Sequence, residues 1–120
     1  MVDFTNFFNN IIYENGVLEL INGVLEAVML HVKPGLEENY ENAFRQASKI
    51  ISSMPGYITH ELQRCMEVKG KYLLLVRWET IEDHTVGFRE SSEYQEWKKL
   101  LHPFYDPFPV VEHFENVHTS

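Results

Sequence analysis

Paired cysteines, basic clusters, membrane-length apolar runs and metal-ligand spacings are all missing from this chain. Each absence removes a class of function. Cys65 is the one cysteine among 120 residues. No internal disulfide is therefore expected, and there is no C-x-x-C redox or zinc motif. That usage fits a reducing, cytoplasmic setting. Lys and Arg number 10 against 18 acids, for a formal net charge of -8. Such a field repels phosphate backbones, so neither nucleic acid nor an anionic membrane surface is an expected partner. The first residues lack a basic segment followed by a long apolar run, so no secretory signal is expected there. No stretch approaches the ~20 apolar residues of a membrane span. Glycine-rich phosphate loops and a G-x-S-x-G elbow are absent. No two histidines stand at i,i+3 or i,i+4, and there is no H-x-H or H-E-x-x-H, so no metal site is expected. Cys65 has no evident activating partner and is not read as a nucleophile.

What remains is a globular composition, 44% hydrophobic and 23% charged, at the size of one domain. Residues 1–22 form an N-terminal extension. Phe4, Phe7, Phe8, Ile11 and Ile12 recur at roughly helical spacing, which predicts a short helix covering the core or a partner subunit. Val24 to Val32 is a mostly apolar strand ended by Lys33-Pro34-Gly35. Leu36 to Met54 reads as a helix, with Tyr40, Phe44, Ala47, Ile51 and Met54 along one stripe. Glu37, Glu38 and Glu41 suit its positive end, and Pro55-Gly56 stops it.

Tyr57 to Met66 alternates as a second strand. Ile58, His60, Leu62 and Arg64 fall on one face, and Tyr57, Thr59, Glu61 and Gln63 on the other. Lys69-Gly70 turns the chain into a third strand, Tyr72 to Trp78. Thr80 and Asp83 form a capping box for a helical segment on which His84, Gly87 and Phe88 share a face. Ser91 caps a second segment carrying Tyr94, Trp97 and Leu101. A proline-rich aromatic loop, 102–109, leads to a last strand, Val110 to Glu115. The domain spans 23–116, and 117–120 form a tail.

The order strand, helix, strand, strand, helix, strand predicts an α+β, ferredoxin-like β-α-β-β-α-β fold. Its antiparallel sheet carries both helices on one face. The apolar strands leave the other face needing cover, and a homodimer packed sheet against sheet supplies it.

Five segments and two single residues carry a resemblance over about residues 23–116. They are Val32-Lys33-Pro34-Gly35, Met54-Pro55-Gly56-Tyr57, Arg77-Trp78-Glu79-Thr80, and the run from Glu82 to Ser91 followed by Tyr94, Trp97 and Val111-Glu112-His113-Phe114. With them the chain resembles the antibiotic biosynthesis monooxygenase family, whose fold is a dimeric α/β barrel. The resemblance implies a homodimer with a pocket between sheet and helices. It also implies oxidation of a small aromatic or quinol-type molecule by O2, with no metal or flavin. Other members cleave haem, which makes a haem-handling or non-catalytic ligand-binding dimer the alternative. Many members carry a histidine nine or ten residues after the tryptophan that ends the third strand. Here Phe88 stands ten after Trp78, and His84 six after. Haem-cleaving relatives use an asparagine inside the first strand; here Asn22 lies just before it.

Such oxygenation needs a base for a phenol, donors for the anion and walls that exclude water. His84 is the candidate catalytic residue, as base or orienting donor. Trp78, Phe88, Tyr94, Trp97, His113 and Arg77 are the candidate substrate-binding residues. Each has a plainer reading: core aromatics for the rings, a hydrogen-bonded interface group for His113, a surface ion pair for Arg77.

Overall fold

The structure, a computed structural model, describes residues 23–119, with three short strand segments before them. Those segments correct the helix expected near the N-terminus. Phe4–Asn6 (β1), Ile11–Glu14 (β2) and Val17–Leu20 (β3) are strands, antiparallel in the order β1-β2-β3. Glu14 and Val17 are partners at the β2–β3 connection. Isoleucine, tyrosine and valine on its two sides favour the extended chain. Whether this extension covers the core or a partner rests on side chains outside the described residues.

The main sheet contains Val24–His31 (β4), Tyr57–Arg64 (β5), Lys71–Trp78 (β6) and Val111–Phe114 (β7), in the order β5-β6-β4-β7. All three pairings are antiparallel. With Glu37–Ile51 (α1) and Ser92–Leu101 (α2), this is the expected ferredoxin-like α+β fold, helices on one face. Helix α1 stops three residues short of the expected Met54. The amides of Ser53 and Met54 turn back to the Ile50 and Ile51 carbonyls and tighten the exit.

Alternation decides what faces the helices. Val28 and Leu30 of β4, with Tyr72, Leu74, Val76 and Trp78 of β6, meet Tyr40, Phe44, Ala47 and Ile51 of α1 and Trp97 and Leu101 of α2 in one core. Strand β5 departs from simple alternation. Its register shifts between Tyr57 and Thr59. This bulge places one extra residue, Ile58, in the strand and turns Tyr57 to the same side as His60. The Tyr57 hydroxyl hydrogen-bonds His60 Nδ1, so these two residues, assigned to opposite faces by simple alternation, meet.

Gly56 is needed at the start of β5 on two counts. Its φ is +80°, and a Cβ there would lie 2.1 Å from Asp83 Cγ. That aspartate accepts from the Thr80 amide and hydroxyl at 3.1 and 2.9 Å, while its own amide donates to the Thr80 hydroxyl at 3.2 Å. The expected capping box is thus formed and held against the turn before β5.

The segment that follows, Asp83–Phe88, is a π-helical turn. The Arg89 amide bonds the His84 carbonyl at 3.1 Å, an i to i+5 closure. The wider turn buries His84 and Phe88 together and leaves Gly87 exposed, off the face it was expected to share.

Candidate functional site

Strand β4 brings one acid into the helix-side core. In phase with Val28 and Leu30, Glu26 is 5% exposed. Its register partners are Val76 on β6 and His113 on β7. Trp78, wholly buried on β6, donates from Nε1 to Glu26 Oε1 at 2.9 Å. His84, 3% exposed, hangs over this group from the π turn. Its ring stacks on Trp78 at 5.4 Å between centroids and 20° between planes. His84 Nε2 lies 3.4 Å from Glu26 Oε1. That is longer than a good hydrogen bond. Its other nitrogen, Nδ1, shares a hydrogen bond with His113 Nε2 at 2.8 Å. Glu26 Oε2 has no hydrogen-bond partner among the described residues.

Burial dominates the electrostatics. It raises the Glu26 carboxyl to about 7, with the Trp78 hydrogen bond and the Arg89 charge pulling the other way. It drives His84 down to about 3, and Arg89 and His113 add to that shift. His113 is lowered for the same first reason, with Arg89 second. Near neutral pH His84 is therefore an uncharged imidazole, and Glu26 sits at its titration point. The group able to accept a proton is the carboxylate. The imidazole lies beside it and hydrogen-bonds His113.

These groups border a cavity of about 440 Å³ between the sheet and α2, at the smaller end of small-molecule sites. Glu26, His84 and Arg89 supply its polar side; Phe88, Trp97 and Phe108 supply much of its apolar wall. Phe88 meets Trp97 edge-on at 78° and Tyr94 at 82°. His102 and Tyr105 also line the cavity. The loop carrying them is anchored on the end of β4: the Lys33 amide bonds the Phe104 carbonyl and the Asp106 amide the His31 carbonyl, both at 2.9 Å. The Tyr105 hydroxyl pairs with that of Tyr40 at 3.0 Å, and burial raises Tyr105.

Of the residues singled out from sequence, His84, Phe88, Tyr94 and Trp97 line this cavity. Trp78 and His113 stand behind it and touch His84. Arg77 is set apart from them. It pairs with Leu25 and Thr59, on the sheet face away from the helices, and is buried there. Adjacency to Trp78 along the strand placed it on the opposite side. Glu26, Arg89, His102 and Phe108 were missed. Glu26 had a readable signal: it is the one acid in a nine-residue apolar strand, in phase with core positions, where an acid is rare without a purpose. Among the described residues no group of three or more acidic, histidine or cysteine side chains is placed to hold a metal ion, and no helix is long and apolar enough to cross a membrane.

Comparison with known proteins agrees with this architecture. The uncharacterised protein YczJ of Bacillus subtilis is 70% identical over 94 residues, which cover 78% of this chain and 99% of YczJ. A Bordetella bronchiseptica protein, classed with the antibiotic biosynthesis monooxygenases, superposes with a TM-score of 0.78 at 33% identity, over 81% of this chain and 99% of its own. A variant of SnoaB, a cofactor-independent oxygenase from Streptomyces nogalater, superposes with a TM-score of 0.71 at 14% identity, over 82% and 96% of the two chains, a likeness of fold alone. The family model described as antibiotic biosynthesis monooxygenase matches residues 24–100, more than half of the chain. The chain therefore belongs to the antibiotic biosynthesis monooxygenase family.

Proposed function

We infer that this protein oxidises a small phenolic or quinol-type aromatic with O2 and needs no bound metal or flavin. The observation that carries the reading is the buried Glu26–His84–His113 series opening onto an aromatic-walled cavity. The cofactor-independent oxygenase of the same fold supports it. Glu26 Oε2 takes the hydroxyl proton of the bound substrate, with the neutral His84 ring holding the carboxylate in place. The electron-rich anion then gives electrons to O2. A C–O bond forms to yield a hydroperoxide, and the proton returns as water leaves. One oxygen atom ends in the quinone and the other in water. Dry aromatic walls keep the anion and the peroxide from side reactions.

The same reading includes a homodimer through the sheet face away from the helices. That face combines half-buried Leu25, Ala27 and Leu73 with Met29, 42% exposed, and Phe114, 50% exposed. A monomer mass by light scattering at micromolar concentration removes the dimer. A cytoplasmic setting belongs to the same reading, and the lone cysteine fits it.

The test is oxygen uptake by metal-stripped protein across hydroquinones, anthrones and polyphenols. Protein-dependent uptake that yields quinone is the expected result. A flat response, with an aromatic still bound, makes the protein a ligand carrier instead.

A further inference from the structure

Arg89 is an unusual cation for this chain. Acids outnumber bases 18 to 10, and the other exposed arginines have partners. Arg64 holds Glu41 through several hydrogen bonds, the shortest 2.6 Å, and Arg45 donates to Asn42 at 2.6 Å. The Arg89 side chain makes no hydrogen bond or ion pair among the described residues. It is exposed, yet it lines the cavity, so it stands at the rim. Its charge is felt by Glu26, His84 and His113, the whole polar end of the site. Among the cavity-lining residues it is the one permanently charged group: the two histidines are held neutral by burial, and Glu26 is half-titrated near neutrality. A cavity in an acidic protein whose fixed charge is one unengaged guanidinium is built for an anion, and the fork of donors fits a carboxylate.

We propose that Arg89 is the anion-recognition residue of this cavity and that the ligand is an aromatic acid, a flat ring system with a carboxylate at the rim and a hydroxyl reaching Glu26 and His84. The hydroxyl end rests on the oxygenase reading; the carboxylate end does not. A neutral quinol would leave the guanidinium without a counter-charge. An anionic group would be drawn to the rim and would fix which ring edge enters first.

Titration calorimetry with a matched pair, 6-hydroxy-2-naphthoic acid and 2-naphthol, tests this on the full chain. The acid is expected to bind the unaltered protein about tenfold more tightly, the ratio one exposed charge-assisted pair supplies. Arg89→Gln should abolish that preference while leaving 2-naphthol binding within about twofold, which also shows the variant is folded. Arg89→Lys should keep part of it, since the point charge remains without the fork. Equal affinity for both compounds, no binding of either, or a preference that survives Arg89→Gln would overturn the proposal. Oxygen uptake on quinols is read separately. No uptake with the preference intact removes the oxygenase reading and leaves anion recognition standing; uptake with no preference does the reverse.

Discussion

Two glutamates on the helix side of the molecule receive a hydrogen bond from a core aromatic, and they are driven in opposite directions. Glu26 accepts from the Trp78 indole at 2.9 Å; Glu41 accepts from the Tyr72 hydroxyl at 2.6 Å. Glu41 also holds Arg64 at 2.6 Å and lies near solvent, and these hydrogen bonds lower its carboxyl, Arg64 first and Tyr72 second. Glu26 has no arginine within bonding distance among the described residues and is only 5% exposed, so burial raises it to about 7. The donor is similar in kind and the result is reversed. What separates a structural acid from a poised one here is the counter-ion and the water.

The largest expected effect is on turnover. Glu26→Gln keeps an acceptor for Trp78 and removes the base, so kcat/KM on an accepted quinol should fall by about 10²–10⁴, while Glu41→Gln stays within about twofold. In the unaltered protein kcat/KM should rise with pH through about 7, the Glu26 value, and that rise should be missing from Glu26→Gln. Stopped-flow or electrode assays across pH 5–9 check it. Equal losses in the two variants would erase the contrast.

His84 sharpens the assignment. His84→Ala should lose most of the turnover, since the ring positions the carboxylate and fills space against Trp78. His84→Gln retains polar atoms near Oε1. If the imidazole orients and does not itself take the proton, the glutamine variant should recover about tenfold over alanine, with the pH rise still near 7. A pH rise displaced in His84→Gln would move the base to the imidazole.

The fold was legible because its signals are local. Pro34-Gly35, Pro55-Gly56 and Lys69-Gly70 punctuate the chain, and the stripe from Tyr40 to Ile51 has a helical period. The misses came from packing and pairing that no local rule contains. A strand bulge at Tyr57–Thr59 turned one side chain over, and phenylalanine spacing near the N-terminus suits a helix and a meander alike. The site was half legible. His84, Phe88, Tyr94 and Trp97 follow helical periodicity into the cavity. Glu26 carried a signal as the one acid in an apolar strand, but its neighbours His84 and His113 come from other elements and only the fold brings them to it. Arg89 was hidden because rim position is a tertiary property.

Stability against pH is the next test of the comparison, with the sign set by each shift. The raised Glu26 carboxyl favours the folded state below its ordinary value of 4.5, and that contribution is lost as pH rises through about 7. The difference corresponds to about 3 kcal/mol. His84 works the other way: its contribution is present above its ordinary 6.5 and is lost as pH falls toward about 3. Glu26→Gln removes only the first. Urea unfolding should therefore show the variant gaining on the unaltered protein by up to about 3 kcal/mol between pH 4.5 and 8. A variant that tracks the parent at every pH would mean that Glu26 is not held up by burial.

Glu41 gives the smallest effect, and its sign is opposite. Its lowered carboxyl contributes stability above the ordinary 4.5, and the contribution is lost as pH falls below it. Solvent screens the Arg64 pair, whose arginine side chain is 67% exposed, so Glu41→Gln should cost under about 1 kcal/mol at pH 7. The cost should shrink in high salt and fade as pH falls below the ordinary 4.5. The Tyr72 hydroxyl, pushed up to about 12 by burial first and by its bond to Glu41 second, should titrate lower in the variant, a change readable by ultraviolet absorbance. A loss larger than that of a core truncation such as Leu101→Ala, about 3 kcal/mol, would mean that Glu41 is more than a screened surface partner. The two glutamates would then differ in function but not in structural weight.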